Sequence, residues 1–412
     1  MDADVIIVGA GIIGLATAYR LVESGSSVLL IDRLGMAEET SRGSAGALAF
    51  SDIMPLATKD MWRKLPRWLG DPLGPFTVRA EYLPQIMPWL VRFWRAGWPD
   101  RIDAAITAQA AMMRLARLEM DRLVASTGIA ELVHSDGVLE LYESEGELRA
   151  AQPEIDAKAR QGIEVRIVRG SELDALQQGI DRRFVAATFI PAWQTVSDPH
   201  DFALAIGRAA LARGTRFRKA EAEAVRPLGD GAVVELADGS ELKATTIVVA
   251  SGAWSRKLTE PLGDFIPLDT ERGYNTTLPP GAFDLRRQLV FPGHGFVVTP
   301  LSSGIRVGGA VELGGLGLPP NFKRSDAMLK KAKMFMPGLK TEGGKQWMGF
   351  RPSLPDSLPV VGRSRASPHV LYAFGHGHLG LTQSAATARL VTDLVTGRPP
   401  SLDLTPFSPQ RF

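Results

Sequence analysis

Three glycines near the N-terminus have the spacing of a site that binds the pyrophosphate of a dinucleotide. Gly9, Gly11 and Gly14 follow the apolar run Val5 to Val8, which is typical of a buried strand, and precede a helical pattern that begins at Ile12. The first glycine permits a tight turn, the second lets the pyrophosphate approach the backbone, and the third allows close helix–strand packing. The N–H groups that begin such a helix bind phosphate oxygens.

An acidic residue, Asp32, ends the second apolar run, which begins at Val28 and lies after the predicted helix. In a strand–turn–helix–strand unit, an acid at this position accepts hydrogen bonds from ribose hydroxyls, and it would repel the 2′-phosphate of NADP. The glycines and Asp32 therefore predict a dinucleotide site, and they leave NAD and FAD as alternatives.

Three further segments favour a flavin over a nicotinamide. Thr40 to Ala47 contains small and hydroxyl-bearing residues that let the backbone lie close to a flat ring, and Ile247 to Trp254 suits a second close approach. Gly375 to Thr382 is a glycine-rich turn into a helix, whose positive end would stabilise charge on the N1–C2=O side of a reduced flavin. The predicted cofactor-binding residues are Gly9, Gly11, Ile12, Ile13, Gly14, Asp32, Arg33, Ser41, Ser44, Ala45, Gly46, Ala47, Val225, Ser251, Gly252, Gly375, Gly377, His378, Gly380, Leu381 and Thr382.

The elements that must position these residues form a β-α-β unit followed by helical and then strand-rich segments. A helix is predicted from Ile12 to Glu23, and the stretch from Ser51 to Gly128 is predicted to be helical. Asp198 as N-cap and Pro199 in the first turn predict a helix that ends near Arg213. Further predictions are hairpin turns at 229–231 and 238–239, a buried strand at 246–250, strands across 289–311 and a last helix at 381–396.

Nucleotide-type strands thus occur near both ends of the chain, with other material between them. This order predicts an α/β fold in which a Rossmann-like FAD-binding domain is interleaved with an α+β substrate domain carrying a mixed or antiparallel sheet. The FAD-binding domain is predicted to comprise residues 1–50, 196–260 and 346–412. The substrate domain is predicted to comprise residues 51–195 and 261–345.

Composition excludes several classes of protein. The 412 residues carry a formal charge of +2 without a basic run, so nucleic acid is not expected as a partner. The chain has no cysteine, which excludes disulfides, thiolate metal sites and a cysteine-linked flavin, so FAD should bind non-covalently. The N-terminal apolar run is interrupted by glycines and preceded by Asp2 and Asp4, so we expect neither a signal peptide nor a membrane span.

Over nearly its whole length, the sequence resembles the D-amino acid oxidase superfamily of FAD enzymes, with the greatest likeness to bacterial D-amino acid dehydrogenases, including those acting on D-hydroxyproline. The acid after the second strand is more often Glu in that family, so Asp32 is one methylene shorter. The resemblance rests on the N-terminal fingerprint, Ser41–Ala47, Gly273–Tyr274, Gly349–Pro352, Pro355–Gly362 and Gly375–Thr382.

The resemblance implies roles for three side chains. Arg351 aligns with the arginine that binds the substrate carboxylate through two parallel hydrogen bonds, and Tyr274 aligns with a second carboxylate donor. The alternatives are an arginine paired with a structural acid and a buried structural tyrosine. Arg272 shares a strand face with Tyr274, and its role is left open. His376 is grouped with the catalytic candidates, although it and His378 are expected to line the flavin edge or to tune the turn; no metal site is predicted.

The implied reaction is hydride transfer from the substrate Cα to flavin N5, with the substrate amine deprotonated. The imine product would hydrolyse to a 2-oxo acid and ammonia, or stay cyclic if the substrate is D-proline or D-hydroxyproline. We expect a D-amino acid dehydrogenase with a non-oxygen electron acceptor; the alternative is a glycine- or sarcosine-type oxidase that uses dioxygen. A plain NAD dehydrogenase and a catalytically silent flavin-binding module are the remaining hypotheses, and the Arg351–Tyr274 pair argues against a silent module.

The expected location is the cytoplasm, with a peripheral contact at the inner membrane as an option, because related dehydrogenases pass electrons to a respiratory quinone. The segment from Leu83 to Trp98 has spaced arginines and aromatic residues that suit an interfacial helix. The favoured interpretation is a substrate-domain helix that packs its aromatic side inward. The sequence does not determine the oligomeric state.

Overall fold

The computed structural model describes residues 1–57, 74 and 76–412, which form two large sheets, one small sheet and the helices that cover them. The strands are β1 (Ala3–Val8), β2 (Val28–Asp32), β3 (Ala47–Leu48), β4 (Phe76–Val78), β5 (Val133–His134), β6 (Val138–Tyr142), β7 (Arg166–Val168), β8 (Ala186–Ile190), β9 (Gln194–Val196), β10 (Arg216–Lys219), β11 (Ala222–Leu228), β12 (Gly231–Leu236), β13 (Glu241–Val249), β14 (Asp269–Leu278), β15 (Gln288–Phe291), β16 (Phe296–Leu301), β17 (Gly304–Leu313), β18 (Lys345–Ser353), β19 (Val360–Arg363) and β20 (Val370–Phe374).

The helices of the described ranges connect or cover these strands. The α-helices are α1 (Ile12–Glu23), α2 (Leu83–Ala96), α3 (Pro99–Thr127), α4 (Glu145–Arg160), α5 (Gly170–Leu176), α6 (Pro199–Ala212), α7 (Ser255–Thr259), α8 (Lys323–Phe335) and α9 (Gly380–Val395). Short 3-10 turns lie at Ala80–Tyr82, Ala130–Leu132, Gly252–Trp254, Glu260–Leu262, Pro292–His294, Thr405–Phe407 and Pro409–Arg411.

The first sheet has a parallel centre in the order β10-β2-β1-β13-β20. Its central strands are apolar on both faces because helices α1, α6 and α9 pack on one side and the β11–β12 hairpin covers part of the other. The strands come from residues 3–32, 216–249 and 360–374, so widely separated segments build one sheet.

The second sheet follows the order β18-β14-β17-β16-β15-β6-β8-β7, with β4 beside β17. Most pairs are antiparallel, whereas β15–β6 and β17–β4 are parallel, so the sheet is mixed. The predicted fold class, a Rossmann-like domain interleaved with an α+β domain, is confirmed. Strand β18 pairs with β14 in this second sheet, although the sequence-based division places residues 346–353 in the FAD-binding domain.

Most local predictions match the described elements. Helix α1 has the predicted bounds, and the Asp198 side chain accepts a hydrogen bond from the His200 backbone nitrogen at the start of α6. The helical stretch after Ser51 contains α2 and α3, but residues 58–73 and 75 of it lie outside the described residues. Strand β4 corrects that prediction, because this segment pairs in parallel with the end of β17 instead of continuing a helix.

Candidate functional site

A cavity of about 1380 Å³ is lined by residues of both large sheets. Sites for drug-sized ligands measure about 300–1,000 Å³, so this cavity has room for a dinucleotide together with a small molecule. Its walls include the N-termini of α1 and α9 and the strand pair β14–β18. The two predicted sites, for cofactor and for substrate, therefore open into one space.

The turn before α1 brings bare backbone to the cavity. Gly9 has φ +111°, and a Cβ there would lie 2.5 Å from the carbonyl oxygen of Ala250. Gly11 caps α1 without a side-chain hydrogen bond, and the Ile12 nitrogen donates to Ser41 Oγ at 2.9 Å. A Cβ at Gly14 would overlap the Gly9 carbonyl oxygen, so this glycine permits the packing of helix on strand, as its spacing predicts.

The Asp32 carboxylate holds the loops beside this turn. One oxygen accepts from the Ala10 nitrogen at 2.9 Å, and the other accepts from the nitrogens of Leu34 (2.8 Å) and Gly35 (3.2 Å). Asp32 also borders the cavity. Each carboxylate oxygen has two lone pairs, so these contacts leave acceptor capacity for a ribose hydroxyl.

The neighbouring Arg33 fixes the rim of the cavity. Its guanidinium is paired with Glu39 at 2.6 Å and lies 4.2 Å from the centre of the Trp254 ring. Arg33 is one of the predicted cofactor-binding residues, and Trp254 ends a segment predicted to approach the dinucleotide, whereas no sequence pattern indicates Glu39. Both Glu39 and Trp254 line the cavity.

The loop from Ser41 to Ala47 is fastened to the second sheet. Asn275 Nδ2 donates to the Gly43 carbonyl at 3.0 Å, and Arg306 Nη1 donates to the Ser44 carbonyl at 2.6 Å. Thr40 Oγ1 donates to the Phe350 carbonyl at 2.6 Å. Sequence patterns did not identify Asn275 and Arg306, because the contacts join segments more than 230 positions apart.

Trp347 explains two small residues of the site. A Cβ at Gly43 or at Gly349 would overlap its indole ring, so the ring lies against both backbones. Trp347 also lines the cavity. Gly349 lies two positions from Trp347 in the same strand, and a glycine inside a strand indicates a close approach that could be predicted from sequence, whereas the contact with Gly43 could not.

Helix α9 presents its N-terminus to the cavity. Leu379 caps it without a side-chain hydrogen bond, and Leu379, Gly380 and Leu381 border the space. Thr382 Oγ1 instead accepts from the Ala49 nitrogen at 2.9 Å, so it joins α9 to the segment after β3. A Cβ at Gly375, where φ is +85°, would overlap the Leu354 side chain.

His376 is directed into the protein. Its Nε2 lies 2.8 Å from Thr387 Oγ1 within α9, and burial lowers the pKa of His376 to about 3. The ring is therefore neutral at any pH near neutrality, and it supplies no imidazolium to the reaction. The catalytic role predicted for His376 would require a neutral ring acting through its other nitrogen.

His378 borders the cavity and forms a pair with Asp52, an acid that is not among the predicted site residues. Its Nε2 lies 3.1 Å from Asp52 Oδ2, and both side chains are partly exposed to the cavity. Burial by itself would lower the pKa of His378, but the hydrogen bond and charge of Asp52 outweigh burial and raise it. The two histidines thus have separate partners.

Arg351 faces the cavity from β18. Its Nη1 donates to the Ala310 carbonyl at 2.9 Å, and the guanidinium lies over Gly273, where a Cβ would be 2.5 Å from Nη2. Burial lowers the pKa of Arg351, and the nearby charge of Glu271 opposes that shift. Within the described ranges, no carboxylate forms an ion pair with this guanidinium, so the alternative of an arginine paired with a structural acid has no support there.

Tyr274 occupies the opposite face of the same strand pair. Its hydroxyl donates to Glu312 Oε1 at 2.8 Å and accepts from the Asn321 nitrogen at 3.0 Å. Arg272, two residues away on the same face, also contacts Glu312, at 3.3 Å. The Tyr274 hydroxyl proton is thus directed to Glu312, and binding a substrate carboxylate would require it to turn away.

Replacing Tyr274 by phenylalanine distinguishes these two roles. If the hydroxyl serves Glu312, its loss should lower the free energy of unfolding by about 1.5–3 kcal/mol, because a buried hydrogen bond to a charged group is lost. The KM for the best substrate should then change less than about threefold, which corresponds to under 1 kcal/mol. Denaturant titration and steady-state kinetics measure both effects. A large rise in KM with unchanged stability would instead support a substrate role.

Most predicted residues reach the cavity, and five do not. The residues that line it are Gly9, Gly11, Ile12, Ile13, Asp32, Arg33, Ser41, Ser44, Ala45, Ala47, Ser251, Gly252, Gly377, His378, Gly380, Leu381, Tyr274, Arg351 and His376. Those absent from its lining are Gly14, Gly46, Val225, Gly375 and Thr382. Val225 lies in the core of the first sheet, where it is 2% exposed, and the wall is formed instead by Ala220, Glu221 and Ala222 just before and at the start of β11.

The cavity fits the predicted dinucleotide. Two helix N-termini face it whose own N-cap residues, Gly11 and Leu379, make no side-chain hydrogen bond. The backbone at Gly9 comes so close to Ala250 that a side chain is excluded. Backbone N–H groups of this kind bind anionic oxygens, and the space between them exceeds that of a single small-molecule site.

Comparison with known proteins agrees with this geometry. The family described as "FAD dependent oxidoreductase" (DAO) matches residues 4–394. The D-amino-acid oxidase of Bradyrhizobium diazoefficiens is 33% identical over 417 residues, which cover 99% of this chain and 98% of that protein. The D-amino acid dehydrogenase of Rhizobium johnstonii is 29% identical over 425 residues, covering 99% of each. The crystal structure of glycine oxidase from Geobacillus kaustophilus is similar in fold, with a TM-score of 0.76 at 24% identity over 100% of this chain and 99% of that one.

Proposed function

Because this chain belongs to the DAO family of FAD-dependent oxidoreductases, we propose that it oxidises a D-amino acid and passes the electrons to an acceptor other than dioxygen. The observation that carries the proposal is the Arg351 guanidinium. It borders the cavity and, in the described part of the chain, makes no ion pair with a protein carboxylate. A buried positive charge of this kind is matched by an anion from a ligand.

The residues that would hold FAD are those at the two helix N-termini. The N–H groups that begin α1 would bind the pyrophosphate, Asp32 would accept from the ribose, and Ala220 to Ala222 would border the adenine end. The N-terminus of α9 would stabilise negative charge at the N1–C2=O side of the ring. When bound, FAD supplies the hydride acceptor at N5, and the absence of cysteine leaves attachment non-covalent.

The chain's own contribution to the reaction is to bind and orient the substrate. Arg351 has its Nη1 held by the Ala310 carbonyl, so its remaining N–H groups are available for a carboxylate. Fixing the carboxylate restricts the positions that Cα can take, and such orientation reduces the entropy cost of the reaction. His376 is neutral and His378 is paired with Asp52, so neither histidine adds an unpaired positive charge to the cavity.

Oxidation with dioxygen as acceptor is the second candidate function. It is favoured by one relative, the 33% identical protein named as an oxidase, whereas a dehydrogenase is 29% identical. A glycine- or sarcosine-type substrate belongs to this alternative. D-Proline and D-hydroxyproline remain among the substrates proposed for the dehydrogenase.

An anaerobic substrate panel tests the proposed function. We expect the yellow purified protein to bleach with one or more D-amino acids, including D-proline and D-hydroxyproline, and not with their L-enantiomers. Glycine and sarcosine are the controls for the alternative. Bleaching by L-amino acids alone, or by none of the panel, would contradict the proposal. Admitting air and then a soluble quinone to the bleached enzyme compares the two acceptors, and we expect faster recovery of colour with the quinone.

Contact with a membrane surface remains a proposal with one supporting feature. Helix α2 packs Trp89 and Phe93 inward, as predicted, but an apolar stripe along α2 and the residue before α3 is 41–55% exposed. No helix in the described ranges is long and apolar enough to cross a membrane. The exposed Arg92 directly follows the stripe residue Val91 in α2 and suits anionic lipid, so co-sedimentation with anionic vesicles would measure the contact. The stripe consists of Leu83, Met87, Val91, Trp94 and Trp98.

A further inference from the structure

A second charged group, Glu271, lies beside Arg351 and has no hydrogen-bond or ion-pair partner in the described part of the chain. It is 4% exposed and borders the cavity from β14. Among residues 1–57, 74 and 76–412, none donates a hydrogen bond to its carboxylate or forms an ion pair with it. A buried carboxylate without donors is unfavourable, and native structures rarely retain one unless a ligand or water supplies the donor.

The register of the sheet places the two charges side by side. Glu271 is the direct cross-strand neighbour of Arg351 in the β14–β18 pair, so both side chains leave the same face. Directly opposite residues have Cβ atoms about 4.5–5.5 Å apart, which is close enough for an ion pair. The two side chains nevertheless form none.

The geometry around Gly273 explains why Glu271 and Arg351 do not form an ion pair. The Arg351 guanidinium extends over Gly273 and donates to the Ala310 carbonyl, so it is drawn along the strand and away from Glu271. Ala310 has φ +55° and lies opposite the irregular register between Arg272 and Tyr274. A locally distorted backbone thus holds the cation at a distance from the neighbouring anion.

From this arrangement we propose that Glu271 binds the substrate's α-ammonium group on entry, before the amine loses the proton whose removal hydride transfer requires, while Arg351 binds its carboxylate. An amino acid carries both charges on one carbon, so it complements a separated cation and anion on one sheet face. The inference rests on the proposed function, and it adds a requirement that the function alone does not make. The site should select zwitterions over carboxylates that lack the amine, because a deaminated ligand leaves Glu271 without a donor.

Two ligands that differ only in the amine test this requirement. 2-Aminoisobutyrate has no Cα hydrogen and cannot be oxidised, whereas isobutyrate lacks the amino group. Titration of the FAD-loaded enzyme, followed by the change in flavin absorbance, gives a Kd for each. In the wild-type protein we expect 2-aminoisobutyrate to bind about 10- to 100-fold more tightly than isobutyrate, since a hydrogen bond to a charged group is at stake.

Glu271→Gln should reduce this ratio to nearly one and raise the KM for the best amino acid by a similar factor. Glu147→Gln is the matched control, because it also removes an acid that borders the cavity, but its carboxylate already accepts from the Glu143 nitrogen and is exposed. It should leave the ratio unchanged. The FAD content of both variants should equal that of the wild type.

Three outcomes would overturn the inference. One is a wild-type enzyme that binds the two ligands equally, and another is a Glu271→Gln variant that keeps the wild-type ratio. The third is a variant that binds both ligands more tightly, which would mean that Glu271 pairs with Arg351 in solution. Failure of the proposed function is separate: it would appear as no bleaching by any D-amino acid, whatever the ratio.

Discussion

Arg351→Met is expected to lower kcat/KM for the best D-amino acid by about 30- to 4000-fold while the protein keeps its FAD. The reason is that a desolvated, charge-assisted pair with the substrate carboxylate is lost, which costs about 2–5 kcal/mol. A factor of ten in rate corresponds to about 1.4 kcal/mol, so the expected loss follows directly. Steady-state kinetics and the visible flavin spectrum measure the two quantities.

Arg351→Lys refines this test. Lysine keeps the charge but loses the planar fork, so its kcat/KM should lie between those of the wild type and Arg351→Met. Arg226→Met serves as the surface control, because Arg226 is half-exposed and pairs with acids of the β11–β13 region. It should retain full activity. An unchanged KM in Arg351→Met would refute the assigned role.

Gly9→Ala is expected to give a protein that is purified without its yellow colour. The new Cβ would lie 2.5 Å from the Ala250 carbonyl oxygen, at a backbone φ of +111° that alanine rarely adopts. The conformational strain alone costs about 1–3 kcal/mol, and relief of the overlap moves the turn that should bind pyrophosphate. We therefore expect FAD affinity to fall by about 100-fold or more, measured as flavin released on denaturation per mole of protein.

Gly25→Ala is the control that distinguishes the two effects expected in Gly9→Ala, which are backbone strain and displacement of the turn that should bind the cofactor. Gly25 also has a positive φ, +94°, in the same β-α-β unit, but a Cβ there would meet nothing within 4 Å. Its substitution should lower stability by about 1 kcal/mol and leave FAD bound. If both variants lose FAD to the same degree, the effect comes from destabilised folding and the turn has no special place in binding.

The dinucleotide unit could be predicted from sequence because its signals are local. The spacing of Gly9, Gly11 and Gly14 fixes a turn between a strand and a helix, and Asp32 follows at the end of the next strand. These relations depend on short-range geometry, which composition and periodicity describe well. The structure agrees with each of them.

Relations between distant strands could not be predicted in the same way. Tyr274 and Arg351 are on opposite faces of β14–β18 because register, a long-range property, sets which residues share a face. Val225 was placed at the cofactor, but the cavity is bordered by residues three to five positions earlier, since the start of β11 is not visible in the apolar pattern. Glu271 could have been predicted from sequence. It lies two positions before Gly273 in a strand that carries candidate residues, and residues two apart in a strand point to the same face.

The discontinuous first sheet has a consequence for how the protein is made. Strands β1 and β2 are synthesised before their outer neighbours in the sheet, because β13 pairs with β1 and β10 pairs with β2. The nascent chain must therefore keep two very apolar segments from aggregating until residues 216–249 have been made. The start of α9, which is proposed to bind the flavin ring, follows β13 and β20 in the chain, so on this proposal FAD can be bound fully only after both strands have been made.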